Sequence, residues 1–204
     1  MNPVPLFLII VTLPLLLGGC GERTIVEPVV KVKPELEGFN AEELERRRYI
    51  TYRKGSDTPY TGKAYSLHAN RQKAGEWNYK DGKQDGLFVW WDEKGKKVEE
   101  ENYINGKQDG LDVHWHNNGQ KSYEANYKDG RLDGVIANWY ENGQKKSEQN
   151  YKKGKLNGNM TAWHENGKKM LDGNYKEGIQ NGLMITWHNN GSKMSEGNFK
   201  NGIK

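Results

Sequence analysis

A repeat of 24 residues is the feature that most constrains the fold of this chain. The dipeptide Asn-Tyr recurs at this interval from Tyr79 onward and ends as Asn198-Phe199, with no insertion between copies. Such periodicity predicts an array of like units, each packing only against its neighbours. The structural repeat positions are Tyr79, Tyr103, Tyr127, Tyr151 and Tyr175; Gly86, Gly110, Gly134, Gly158 and Gly182; Trp91, Trp115, Trp139, Trp163 and Trp187; Gly95, Gly119, Gly143, Gly167 and Gly191.

The array is predicted to span residues 49–204. One period before Gly86 lies Gly62, but Leu67 stands where later units have tryptophan, and Arg71 stands where they have the second glycine. Terminal repeats are usually atypical because one side has no neighbour. This segment is therefore interpreted as a degenerate opening repeat.

Each unit has the pattern of a β-hairpin. Residues Leu111 to Trp115 alternate apolar with other side chains, which is the period-two pattern of a half-buried strand. Asn118-Gly119 follows, and both residue types tolerate the positive φ of a tight turn. The predicted fold class is all-β: an elongated single antiparallel β-meander of about eleven or twelve strands.

The composition supports a folded array. The chain has 7 tryptophans, 11 tyrosines and a formal net charge of only +4, whereas disordered chains have few aromatic residues and a high net charge. The tryptophans have two interpretations, a structural spine or an exposed platform for sugars or peptides. The spine is favoured because the chain has few aliphatic residues with which to build a core.

The hairpin register has two alternatives. A two-residue loop would pair Trp115 with Ser122 and place Glu124 on the same face as the tryptophan. A three-residue loop with a glycine in the left-handed conformation would pair Trp115 with Lys121. The second register is preferred because it gathers apolar residues on the tryptophan side, namely Tyr123, Ala125 and Tyr127.

Residues 1–19 have the pattern of a signal peptide. They carry no charged side chain, and the apolar run from Leu6 to Leu17 is shorter than the ~20 residues that a membrane-spanning helix needs. Leu17-Gly18-Gly19-Cys20 resembles the lipobox of bacterial lipoproteins, which implies that Cys20 is lipidated and anchors the protein in the cell envelope. Because Gly21 is not aspartate, the resemblance favours the outer membrane in a host with two membranes.

Residues 20–48 are predicted to hold the lipidated cysteine, a tether and a short helix. Pro28 and Pro34 favour an extended tether. Asn40-Ala41-Glu42-Glu43 has the pattern of a capping box that would open a helix through about Arg47. The run Arg46-Arg47-Arg48 is interpreted as a solvated helix end, and no nucleic acid is expected as a partner.

The repeat resembles the MORN (membrane occupation and recognition nexus) family in its bacterial variant form. The matching core runs from Asn126 to Gly134, continues with Trp139 and ends with Glu141 to Lys146, and the resemblance covers roughly residues 49–204. It implies a hairpin-repeat fold. The family includes bacterial proteins labelled as antitoxins of toxin–antitoxin systems. The second closely spaced glycine of the ordinary pattern is replaced by Phe88, Asp112, Ile136, Met160 and Met184.

The sequence predicts no catalytic, metal or cofactor site. His116, His164 and His188 share one repeat position, but equivalent strands lie ~10 Å apart, too far for a shared metal with ligands ~2 Å from the ion. His114 shares a strand face with His116 but has no adjacent acid in the sequence. The recurring acids form a row instead of a converging pair, at Glu100, Glu124, Glu148, Asp172 and Glu196.

The face opposite the tryptophans is the predicted binding surface. Its amphipathic, repeated character is typical of interaction sites. The predicted function is a membrane-tethered, non-catalytic module that binds a protein at the cell envelope. The alternatives are an antitoxin or immunity protein that neutralises a toxin, and an envelope polysaccharide enzyme. The candidate binding residues are Phe88, Trp90, His114, Ile136, Tyr140, Met160 and Met184.

Overall fold

A computed structural model describes residues 36–204 of the chain. The predicted signal peptide, Cys20 and most of the tether lie outside the described residues. Within residues 36–204, no helix is both long enough and apolar enough to cross a membrane. The secondary structure is almost entirely β.

The described residues form seventeen strands and one 3-10 turn, Ala41–Glu43. The strands are β1 Phe39–Asn40, β2 Leu44–Arg47, β3 Ile50–Arg53, β4 Gly62–Leu67, β5 Lys73–Lys80, β6 Lys83–Gln84, β7 Gly86–Trp91, β8 Lys97–Ile104, β9 Lys107–Trp115, β10 Lys121–Lys128, β11 Arg131–Leu132, β12 Gly134–Trp139, β13 Lys145–Lys152, β14 Lys155–Trp163, β15 Lys169–Lys176, β16 Ile179–Trp187 and β17 Lys193–Phe199.

One sheet contains all of these strands except β2 and β3. From β4 onward its twelve principal strands follow one another in chain order, and each pairs antiparallel with the next. Two short strands, β6 and β11, extend the pairing of β5 and β10 beyond a glycine. The predicted all-β antiparallel meander of hairpin repeats is confirmed.

The hairpin register confirms one part of the prediction and corrects another. Trp115 pairs with Lys121, as expected for the three-residue loop, but a β-bulge follows between Lys121 and Tyr123. Beyond the bulge, Glu124 pairs with Val113. Because a bulge sets two residues of one strand opposite a single residue of its partner, it reverses which side chains share a face. The following residues therefore lie opposite the tryptophans, contrary to the prediction: Tyr123, Ala125 and Tyr127.

The two faces of the sheet follow from this register. The tryptophan face carries the five repeated tryptophans, and the tyrosine face carries the five repeated tyrosines. Burial is shallow on both, and no large side chain in residues 36–204 is less than 2% exposed. Small and medium side chains fill the middle of each strand instead. Buried members are Val89, Val113 and Ala137 on the tryptophan face, and Ala125, Ile136 and Ala162 on the tyrosine face.

Charged ladders cover the tryptophan face. Lys121 pairs with Glu124 on its own strand and also lies over the ring of Trp139 in the next repeat, with Nζ 5.4 Å from the centroid. The same contact joins Lys73 to Trp91, Lys97 to Trp115, Lys145 to Trp163 and Lys169 to Trp187. The recurring acids are therefore partners of a recurring lysine row, and each indole is covered by the lysine of the preceding repeat.

The segment before the array differs from the prediction. The side chain of Asn40 does cap a helical turn, accepting a hydrogen bond from the backbone N–H of Glu42, but the turn ends at Glu43. Leu44–Arg47 is a strand and not a helix, because its backbone groups pair with Ile50–Arg53. Arg48 makes the reversal with a positive φ of 59°.

The meander itself begins at Gly62, later than the predicted start at residue 49. Residues 50–60 lie against the turn at Asp81-Gly82, between β5 and β6. The backbone N–H of Thr51 donates to the carbonyl of Gly82, and the N–H of Gly82 donates to the carbonyl of Tyr60. These bonds continue a ladder that later repeats form among themselves, for example from the N–H of Gly130 to the carbonyl of Gln108.

Candidate functional site

The tyrosine face is the surface on which the repeats differ most in chemical character. The tryptophan face repeats its tryptophan, lysine, acid and asparagine, and its other positions vary only among aliphatic and small polar side chains. Two positions of the tyrosine face change at nearly every step, among aromatic, charged, amide and apolar side chains. The first position holds Phe88, Asp112, Ile136, Met160 and Met184; the second holds Trp90, His114, Asn138, Ala162 and Thr186.

Six of the seven residues predicted for the binding surface lie on the tyrosine face. The strand pairings place Phe88, Trp90, His114, Ile136, Met160 and Met184 there. Tyr140 does not join them. It follows β12 in the hairpin, where its hydroxyl donates to the backbone carbonyl of Trp163 at 2.9 Å. Tyr140 therefore has a structural contact with the next repeat and lies outside the strands that carry the other six predicted residues.

Three histidines make the same inter-repeat contact as Tyr140. Nε2 of His68, His116 and His164 lies 2.8, 2.9 and 3.0 Å from the backbone carbonyl oxygen of the tryptophan in the following repeat. The shared repeat position of these histidines thus reflects how successive hairpins are joined.

Aromatic side chains occupy the tyrosine face near the start of the array. The ring centroids of Trp77 and Phe88 are 5.9 Å apart, and those of Phe88 and Trp90 are 6.4 Å apart. Trp90 lies directly against the backbone of Gly75, where a Cβ atom would approach the indole to 2.5 Å. Gly75 therefore leaves the room that the Trp90 ring fills.

A polar cluster of four residues lies beside these aromatics. We call Glu99, Glu101, Asp112 and His114 the carboxylate–histidine cluster. Glu99 is paired with His114 and Glu101 with Asp112 across β8 and β9. Nε2 of His114 lies 2.8 Å from Oδ1 of Asp112 and 3.5 Å from Oε1 of Glu99.

Neighbouring side chains hold the cluster in place. Nε2 of Gln108 donates to Oε1 of Glu101 at 2.5 Å and to Oδ2 of Asp112 at 3.3 Å. The hydroxyl of Tyr103 donates to Oε2 of Glu101 at 2.7 Å. The His114 ring packs edge-on against Tyr123, with 5.2 Å between centroids. The carboxylates are therefore oriented by hydrogen bonds.

Burial shifts the protonation of two of the acids. Asp112 is only 4% exposed, and this burial raises the pKa of its carboxyl group; the nearby charge of Glu101 adds to the shift, while His114 opposes it. Burial also raises the pKa of Glu99, with a further contribution from Glu101. Both groups therefore hold a proton more readily than an exposed acid.

The sequence carried a signal for this cluster that the prediction did not use. Each member departs from the side chain that other repeats have at its position, for example Ile136 for Asp112 and Ala125 for Glu101. His114 was identified as a candidate, but its three acidic neighbours were not. Glu99 and Glu101 lie on the preceding strand, so only the register brings them to the histidine.

Beyond the cluster the tyrosine face becomes more apolar. Ile136 is buried on β12, and Met160 on β14 and Met184 on β16 are half-buried, each one strand removed from the next. The Met184 sulfur accepts a hydrogen bond from Nε2 of Gln180 at 2.9 Å. Thioether side chains adapt their shape to different partners. This face therefore offers aromatic, acidic and adaptable apolar surface in succession.

Comparison with known proteins identifies the repeat. The sequence pattern described as MORN repeat variant matches five segments, each of 22 residues, that begin 24 residues apart. The matched segments are residues 84–105, 108–129, 132–153, 156–177 and 180–201. Together they cover just over half of the chain. No curated protein matches it significantly. The chain belongs to the MORN repeat variant family.

Proposed function

We propose that this protein is a non-catalytic module that binds a protein partner through its tyrosine face. The observation that carries the proposal is the contrast between the two faces. A repeated scaffold distinguishes one partner from another through side chains that differ from unit to unit, and those that change between aromatic, charged and apolar types lie on the tyrosine face.

The tryptophan face has its charged and aromatic groups engaged within the array. Lys97, for example, pairs with Glu100 and also covers the ring of Trp115. A partner docking there would have to break such pairs in several repeats. On the tyrosine face, the acids and the histidine of the cluster form one local group beside apolar side chains. A mixed surface of this kind is typical of protein interfaces.

The proposed interface is of a suitable length for a stable complex. Phe88 on β7 and Met184 on β16 are separated by eight strand-to-strand steps, which at ~4.8 Å each amount to ~38 Å. An ordinary interface buries about 800 Å² on each partner, and a surface of this length can supply that area. The partner is expected to present apolar groups opposite the methionines.

The partner interaction can be tested by affinity capture with the full chain. Met160→Glu places a charge on the tyrosine face, and Leu111→Glu places one on the tryptophan face, where Leu111 is 39% exposed. A protein captured from envelope extract by the wild type should be lost with Met160→Glu and retained with Leu111→Glu. Loss with Leu111→Glu alone would assign binding to the other face, and an empty capture by the wild type would contradict the proposal.

The lipid anchor is a separate part of the proposal. It is supported by the resemblance of Leu17-Gly18-Gly19-Cys20 to a lipobox, and Cys20 is the single cysteine of the chain. Metabolic labelling with a fatty-acid analogue should mark the wild type but not Cys20→Ala. An unlabelled wild type would disprove the anchor and would leave the binding proposal intact, because that rests on the array alone.

An antitoxin or immunity role would be a special case of the same binding activity. Co-expression with the captured partner decides it, because rescue of growth requires the partner to be toxic. An enzyme acting on envelope polysaccharide would instead depend on the carboxylate–histidine cluster. Three members of that cluster, Glu101, Asp112 and His114, line a shallow depression with Gln108, Tyr123 and Tyr127, and this open geometry favours binding.

A further inference from the structure

The carboxylate–histidine cluster has the composition and spacing of a metal site. We propose that Glu99, Glu101 and His114 bind a divalent transition-metal ion such as Zn²⁺. One potential ligand atom of each of these three residues lies within 4.8 Å of the others. Ligands ~2.0–2.2 Å from a common ion lie no more than about 4.4 Å apart, so small side-chain movements bring the three into coordination distance.

Asp112 is the second observation that points to a cation. Oδ1 of Asp112 is completely buried and has no hydrogen-bond donor, although Nε2 of His114 lies 2.8 Å away out of hydrogen-bonding alignment. A buried carboxylate oxygen without a donor is costly. Since this oxygen lies beside the imidazole of His114, a cation bound at the cluster would compensate its charge.

The charge balance around the cluster favours the same ligand. Three carboxylates lie together there, and no lysine or arginine among residues 36–204 forms an ion pair with any of them. His114 is their only basic contact in this part of the chain. Acids on the tryptophan face, in contrast, each have a lysine partner three residues away. The three acids of the cluster thus share one histidine, whereas the recurring acids of the tryptophan face each have a lysine.

The ligand types select the class of ion. Imidazole together with carboxylates suits Zn²⁺ and similar transition metals, whereas Mg²⁺ and Ca²⁺ prefer oxygen ligands only. Gln108 and Tyr103 would act as outer-sphere groups, because their hydrogen bonds fix the carboxylate of Glu101. Such orienting partners commonly affect metal affinity about 10–100-fold.

The other repeats supply substitutions that the scaffold already accepts. Their side chains at the positions of Glu99, Glu101 and His114 include Ser147, Gln149 and Asn138, respectively. A variant with Glu99→Ser, Glu101→Gln and His114→Asn therefore removes the proposed ligands while keeping residues native to this sheet. A matched control, Glu165→Gln with His188→Gln, changes an exposed acid and an exposed histidine outside the cluster.

Zn²⁺ affinity of the untagged full chain can be measured by competition with a chromophoric chelator. The wild type and the control should bind one ion per chain, and the triple variant should bind at least about 100-fold more weakly. His114→Asn alone provides a second, smaller change in case the triple variant does not fold. No binding by the wild type, or equal binding by wild type and both cluster variants, would overturn the proposal. The measurement needs no partner, so its result is independent of the proposed protein interface.

Discussion

The hydroxyl of Tyr140 donates to the backbone carbonyl oxygen of Trp163 in the next repeat, at 2.9 Å. His116 makes the equivalent contact with Trp139 at the same distance of 2.9 Å. Two chemically different side chains thus donate to equivalent carbonyls in successive hairpins. Asp92 holds the same repeat position but accepts from the backbone N–H groups of Lys94 and Lys96, so the donor that reaches the following unit is present in some repeats only.

Tyr140→Phe should destabilise the array without changing its shape. The substitution removes only the hydroxyl, so the partly buried carbonyl of Trp163 loses its side-chain donor, at an expected cost of about 1 kcal/mol. Equilibrium unfolding in urea measures this difference. Tyr49→Phe is the matched control, because Tyr49 is 82% exposed and has no such role. Equal stability of Tyr140→Phe and the wild type would show that the contact contributes nothing.

Gly134→Ala should lower the free energy of unfolding more than Gly173→Ala does. Gly134 has a φ of +128°, and an added Cβ would lie 3.2 Å from Cβ of Asn126. An L-residue is strained in this conformation, so we expect a loss of about 1–3 kcal/mol in the free energy of unfolding.

Gly173→Ala is the control for that substitution. An added Cβ at Gly173 meets the flexible end of Met184 at 3.4 Å, and Gly173 does not have a positive φ. Its effect should be below about 1 kcal/mol, since alanine also reduces the entropy of the unfolded chain. Similar losses for both variants in urea unfolding would contradict the conformational explanation.

The sequence predicted the strand order because the turns recur at a fixed interval. Turn residues at such short spacing allow only adjacent antiparallel pairing, and the Trp115–Lys121 pair followed from the loop type. The faces were assigned wrongly because the β-bulge at Ser122 has no recognisable signal in the side chains around it. One additional residue is enough to exchange the two faces of a strand.

The capping pattern at Asn40 shows a different limit of sequence analysis. The cap forms as predicted, but the residues from Leu44 onward pair with β3 instead of continuing a helix. Arg47 also lies 3.8 Å over the Tyr52 ring and pairs with Asp57. These contacts come from outside the segment, and a local pattern does not contain them.

The candidate site was only partly predictable for the same reason. Six predicted binding residues lie on the tyrosine face. The tyrosines and Ala125 that lie beside them there were assigned to the tryptophan face in the prediction. The carboxylate–histidine cluster combines residues of two strands, and recognising it required the pairing of Glu99 with His114. The sequence did contain one signal: Asp112 occupies a repeat position that holds an apolar residue in the other units.

Asp109 should stabilise the protein in a pH-dependent way. Hydrogen bonds from the backbone N–H of Asp129 and from Lys128 hold the pKa of Asp109 below its ordinary value of 3.8. Its stabilising effect is therefore present above pH 3.8 and is lost as the pH falls through the lowered pKa. Asp109→Asn should destabilise the protein at pH 7 and have less effect in strong acid, as measured by urea unfolding at both pH values.

Asp112→Ile should have the opposite effect and stabilise the protein at pH 7. Ile136 already occupies the equivalent buried position, and the substitution removes a buried oxygen without a donor, so a gain of about 1–3 kcal/mol is expected. Burial raises the pKa of Asp112 above 3.8, so between the unfolded and folded pKa values the folded wild type retains a proton that the unfolded chain releases. The stability of the wild type therefore falls as the pH rises through this range. The stability of Asp112→Ile should therefore decrease less than that of the wild type as the pH rises.

Urea unfolding at pH 4 and pH 7 measures both effects, and EDTA in the buffer keeps the protein free of bound metal. A variant that is less stable than the wild type at pH 7 would show that Asp112 is stabilising in the metal-free protein.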